Sequence, residues 1–155
     1  MDDHLNHLYE TDALIWTERQ IALLRAGQFD QLDVENIISE LGYQVRKDKR
    51  EVATRLRRLL HHLLQYQFQP TRIGNSWRQT IATQRRQIDV VLEEIPSLRR
   101  LLDDYAARAY PKAVRDAALE TYLPASTFPN QLPYTLDQIL DENYFPAPSK
   151  KAADP

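Results

Sequence analysis

Three groups of residues in this sequence have types and spacings suited to chemistry, and the first is a pair of charges lying inside apolar stripes. At about 100° per helical residue, Asp12 falls between Leu8 and Trp16 on the apolar face of the 5–26 segment. Arg85 falls within about 60° of Ile81, Ile88 and Leu92, and Arg78 runs along the same edge. Both anomalies are explained if Asp12, together with Glu40, receives Arg85 or Arg78 inside the fold. The simpler form is an internal ion pair that fixes helix register, costing about 3–5 kcal/mol when one partner is removed. The functional form is a polar cleft, lined by Asp12, Trp16, Glu40, Trp77, Arg78 and Arg85, in which the same groups hold a ligand. Structural ion pairs imitate sites of this kind, so the ion pair takes precedence.

The second group is the segment 46–58, RKDKREVATRLRR, with seven Lys/Arg against two acids. Its apolar positions, Val52 and Leu56, leave Arg55 and Arg58 well outside the stripe, while Arg46, Lys47, Lys49 and Arg50 share the polar surface. Such a surface can follow a phosphate backbone, releasing counterions and making binding salt-sensitive. Arg78, Arg86, Arg99 and Arg100 would extend it if their helices pack alongside, with Tyr66, Phe68 and Trp77 close by for base stacking. Trp77 itself reads as core. The competing explanation is a solvated face, or one matched to the acidic start of the chain. The net charge of −2 divides into −7 over residues 1–45, +8 over 46–100 and −3 over 101–155. A pI near 6.1 is far from that of a strongly basic nucleic-acid-binding domain.

The third group is histidine. His61-His62 has no carboxylate or second His at the spacing a metal needs, and His4 and His7 sit with Asp2 and Asp3 at a terminus expected to fray. No metal and no cofactor are expected. Arg57 and His62 match the arginine–four residues–histidine spacing of the helical HEPN ribonucleases, but five positions on a helix turn them about 140° apart. With 0 Cys, disulfides, zinc–thiolate sites, iron–sulfur clusters and a thiol nucleophile are excluded, leaving His62 as the candidate for catalysis.

These groups need elements to hold them, and the periodicity supplies helices only. Helices are expected over 5–26, from Val34 to Leu41, and from Val45 to Phe68, with Gly42 ending or weakening the second. The third carries the firmest stripe: Val52, Leu56, Leu59, Leu60, Leu63 and Leu64. Ser76 and Gln79 have capping-box spacing ahead of Trp77 and Ile81, and Thr135 and Gln138 repeat it ahead of Ile139. Ser97 can cap a helix through Ala109, which Pro111 should break or kink before another runs from Lys112 to Tyr122. Residues 124–134 read as extended.

In its order of segments the chain resembles the bacterial domain-of-unknown-function family 29. The resemblance is carried by LYETDALIWTERQIALLRAGQFDQLDVENI (8–37), RLRRLLHHLLQYQFQP (55–70), SWRQTIATQRRQI (76–88), PSLRRLL (96–102) and STFPNQLPYTLDQILDENYFP (126–146). It implies a compact helical domain, and family positions at Asp12, Trp16, Glu35, Asn36, Glu40, His62, Trp77, Arg78 and Arg85. It implies no activity. At 42–45 (GYQV) the chain departs from the family's usual Ser-Leu-Gly ending, which leaves the joint between the second and third helices open.

The sequence therefore predicts one all-α domain over 1–145, a single compact bundle of five to seven helices. The 46–69 helix is expected at its centre, with an irregular Pro-rich segment wrapping it and a disordered tail over 146–155. No apolar run reaches the roughly 20 residues that cross a bilayer, and the acidic start is no secretory signal. A cytosolic binding or interaction protein that self-associates is the expected function, with no membrane partner. The alternatives are a nucleic-acid-binding module on residues 46–58 and a metal-independent ribonuclease.

Overall fold

The computed structural model describes residues 3–149, apart from the side chains of Asp3, Leu5 and Asn6. The helices are α1 (Asp3–Thr11), α2 (Ala13–Arg25), α3 (Val34–Phe68), α4 (Asn75–Glu94), α5 (Leu102–Thr121) and α6 (Leu136–Leu140). Short 3-10 turns link them at Phe29–Gln31, Pro70–Arg72, Pro96–Leu101 and Ala125–Thr127. The described residues contain no strand, so the all-α class follows as the periodicity indicates. Two compact units divide the chain, Met1–Asp48 and Lys49–Pro155, and α3 belongs to both.

In the second unit the leucine stripe of α3 is the core. Val52, Leu56, Leu59, Leu60, Leu63 and Leu64 are all buried, against Ile81, Ile88 and Leu92 of α4 and Leu102, Ala106, Ala113 and Ala117 of α5. Small alanines on α5 let it lie close to its neighbours. Their continuity explains why Pro111 does not end the helix: α5 runs through it to Thr121. A mid-helix proline costs about 3 kcal/mol, but Ala106 and Tyr110 before it and Ala113 and Ala117 after it bury one face, and that burial outweighs the loss. The Pro-rich segment is held by two phenols and a cap. Tyr110 Oη donates to the Pro129 carbonyl at 2.6 Å, and Tyr134 Oη to Gln67 Oε1 at 2.7 Å. Thr135 and Gln138 form the expected capping box at the start of α6. Burial pushes the Tyr110 hydroxyl up to about 12 and raises that of Tyr134 as well. Pro146 is buried and the Ser149 N–H donates to the Gln67 carbonyl at 2.8 Å. The rest of the expected tail, 150–155, lies outside the described residues.

The first unit differs from its expectation in two ways. The 5–26 helix is two helices, broken at Asp12, whose φ of −149° is not helical. The two helices expected on either side of Gly42 are one helix of 35 residues, roughly 50 Å long. One interior glycine costs only about 1 kcal/mol relative to alanine, too little to stop a helix anchored by a buried stripe farther along. Gly27, at φ 70°, takes the left-handed conformation that ends α2. Among the described residues of this unit only Trp16 and Gln20 are buried. In the second unit α4 starts one residue before Ser76, at Asn75, so the capping box expected there does not form; Gly74 is the N-cap.

Candidate functional site

Arg85 is the largest of the fully buried side chains, 2% exposed, as its place in the stripe requires. Its acceptors are backbone carbonyls, however, not a carboxylate. Nε donates to the Ile139 carbonyl at 2.9 Å and Nη2 to the Gln138 carbonyl at 3.1 Å. Both carbonyls belong to the last turn of α6, where they have no partner within the helix and carry the negative end of its dipole. Arg85 therefore closes the C-terminus of α6. Burial pushes its pKa down, partly opposed by the nearby Asp141. One heptad earlier, Arg78 Nη2 donates to Tyr66 Oη at 3.0 Å. The Phe145 ring receives both guanidinium groups, with centroid distances of 5.6 Å to Arg78 and 5.5 Å to Arg85. Trp77, beside them on α4, is half-buried.

The remaining members of the expected polar cluster solve a different problem. Asp12 is exposed and caps α2, its Oδ1 accepting from the Ile15 N–H at 3.1 Å. It lies in the stripe on a helical wheel because the wheel assumes a continuous helix, and the helix breaks at Asp12 itself. Glu40 accepts from Tyr9 Oη at 2.7 Å. Trp16 is buried, its indole N–H donating to Asp33 Oδ2 at 2.9 Å and its ring meeting Tyr9 edge-on at 4.8 Å. Burial opposes the Asp33 charge, yet donation from Asn36 and Trp16 holds its carboxyl below the ordinary value. The Asp33 N–H is taken in turn by Gln20 Oε1 at 2.8 Å. Asp12 and Glu40 thus have partners within the first unit, and Arg78 and Arg85 within the second. Asp33 is the member the sequence reading missed; it is legible as a helix N-cap but not as the acceptor for Trp16.

Two of the seven basic residues of 46–58 are paired within the protein. Arg55 is drawn back to Glu51 at 2.9 Å, four residues away on α3, and reaches Gln84 at 3.5 Å. Arg57 makes a two-pronged contact with Asp116 on α5, at 2.6 and 2.8 Å, and that partner holds the Asp116 carboxyl below its usual pKa. Arg46, Lys47, Lys49, Arg50, Arg58 and Arg86 are exposed. His62 Nδ1 donates to the Arg58 carbonyl at 2.9 Å, so the Arg57–His62 spacing brings no catalytic pair together. His61 Nε2 lies 2.9 Å from Glu120 Oε2. Burial, then the neighbouring His62, drives its imidazole toward the neutral form. The described residues contain no cluster of three or more His, Asp or Glu side chains able to hold a metal.

The most conspicuous surface was not singled out by the sequence. On the first half of α3, Val34, Ile38, Leu41 and Val45 are 51%, 59%, 64% and 53% exposed. Their 4-3-4 spacing places them within about 60° of one another. Val52, Leu56, Leu59 and Leu63 continue the same stripe on the second half, where every one is buried. A single apolar stripe is thus covered along one half of the helix and bare along the other. Leu14, Ile21 and Leu24 of α2 are exposed as well.

No described helix is long and apolar enough to cross a membrane. Neither a curated protein nor a solved structure matches the chain. The family described as "Domain of unknown function DUF29" matches residues 8–145, the stretch that holds the tethered Arg85, the capped Trp16 and the bare stripe alike, and the chain belongs to that family.

Proposed function

We propose that this protein is a cytosolic interaction module that self-associates through the first half of α3, two copies lying antiparallel along the stripe of Val34, Ile38, Leu41 and Val45. The observation that carries the proposal is the stripe itself: heptad-spaced, apolar and bare, on a helix whose other half buries the same stripe completely. Contiguous exposed apolar surface of this kind marks interaction sites. A second copy of the helix fits it with all four positions used, since antiparallel seams pair Val34 with Val45 of the second copy and Ile38 with its Leu41. This register also puts Glu35 on the same flank of the seam as Arg46 of the second copy. Four seam positions make a short coiled coil, and a stable dimer buries about 800 Å² per partner. The exposed Leu14, Ile21 and Leu24 of α2 are therefore expected to join the interface.

Light scattering on a sizing column should give twice the chain mass of 18.2 kDa for the wild type. The double variant Ile38→Glu/Leu41→Glu should elute as a monomer with its helical circular dichroism unchanged, because both side chains are exposed. A wild type that is monomeric at all accessible concentrations, or a double variant that remains dimeric, would refute the proposal.

A further inference from the structure

Within the second unit, α3 and α5 flank an open pocket of about 350 Å³, and five of its nine lining residues are basic. Lys49, Arg50 and Arg57 enter from α3, and Arg108 and Lys112 from α5. The pocket is floored by Ala53 and Ala109, with Thr54 and Tyr105 completing it. Two of the five cations are answered within the protein. Arg57 is paired with Asp116, and Arg108 with Asp104 at 3.0 Å. Lys49, Arg50 and Lys112 form no ion pair among the described residues. Three uncompensated positive charges around so small a volume repel one another, and nothing in the core requires them there.

We infer that this pocket binds the polyphosphate group of a small anion, either inorganic or carried by a nucleoside. The charge count suits two or more phosphate groups better than one carboxylate. Arg50 and Arg108 offer planar, multi-donor contacts to phosphate oxygens, while Lys49 and Lys112 act as mobile point charges. The alanine floor allows a compact anion to approach both helices, and the Thr54 hydroxyl adds a neutral donor. The volume lies in the range of small-molecule sites. A nucleic acid is the competing ligand, since the exposed Arg46 lies one turn ahead of Lys49 and Arg50, and an oligonucleotide probe separates the two. The inference stands apart from self-association, which uses residues 34–45.

Titration calorimetry on the full chain at about 0.1 M salt, where screening leaves contacts within the pocket largely intact, tests the inference with three probes. These are tripolyphosphate, ATP and a single-stranded oligonucleotide. Saturable binding of tripolyphosphate or ATP at one site per chain is expected. Equal affinities would assign the phosphate group alone, and tighter ATP would add the nucleoside, with Tyr105 the nearest ring. Arg50→Glu and Lys112→Glu should each weaken binding by about tenfold or more, the scale of losing one charged hydrogen bond. Both side chains are exposed, so folding should survive, which circular dichroism checks. Arg86→Glu, outside the pocket, should bind as the wild type does. No saturable binding of either small anion would overturn the inference. So would oligonucleotide binding that strengthens with length and weakens equally in all three variants.

Discussion

Replacing Arg85 by alanine is expected to destabilise the second unit by about 3–5 kcal/mol, the range for truncating a large buried side chain. Two effects add. The Ile139 carbonyl loses its donor in a buried setting, costing about 1–3 kcal/mol, and the part-buried Gln138 carbonyl loses one at a smaller cost. The volume of a large, fully buried side chain is also emptied beside Ile81, Ile88 and Phe145. Urea unfolding should show the loss as a lower midpoint at unchanged slope. Arg85→Met separates the two contributions, because it refills most of the volume and supplies no donor; it should recover only part of the loss. Arg85→Lys restores a charge but not the fork that reaches two successive carbonyls. An alanine variant within 1 kcal/mol of the wild type, against the roughly 3–5 expected, would mean that α6 does not depend on this tether.

The second large effect belongs to Trp16. Trp16→Ala should remove about 3–5 kcal/mol of local stability, the usual cost of truncating a buried tryptophan. The first unit has little with which to absorb it, since among its described residues only Gln20 is buried besides Trp16. The ring also supplies the N–H that stabilises Asp33, and Asp33 starts α3 by accepting from the Asn36 N–H. Amide exchange along α2 should therefore accelerate by orders of magnitude, and trypsin should cut at the exposed Arg19 and Arg25. Trp16→Phe keeps most of the apolar contact and loses only the donated hydrogen bond, so its effect should be smaller. Unchanged protection of α2 in the alanine variant would show that the Trp16–Asp33 contact does not hold this unit together.

What could be read from the chain depended on whether a signal was local or had to be resolved by tertiary packing. The stripe from Val52 to Leu64 and the Thr135 capping box are written in adjacent residues, and both appear as read. Arg85 was legible as a buried charge because its helix is continuous. Its acceptors were not, since carbonyls at a helix end more than fifty residues away have no side-chain signature. Asp12 is misleading for the opposite reason: a helical wheel runs straight through a break that Asp12 itself creates. Gly42 and Pro111 are genuine local breakers, overruled by burial along α3 and α5. Treating Pro111 as a break also hid the basic pocket, because Arg108 and Lys112 share a face only when α5 is unbroken.

The absence of Cys allows self-association to be read covalently and without background. Val34→Cys and Val45→Cys proteins should be prepared separately, mixed under oxidising conditions and compared with each alone. An antiparallel pair sets Val34 beside Val45 of the second copy and leaves two Val34 positions roughly 16 Å apart along the helix axis, too far for a disulfide. The mixture should therefore give a disulfide-linked dimer joining the two variants, and each variant alone should stay largely uncrosslinked. Rapid crosslinking of Val34→Cys with itself would establish a parallel pair instead, and no crosslinking in any combination would remove the first half of α3 from the interface.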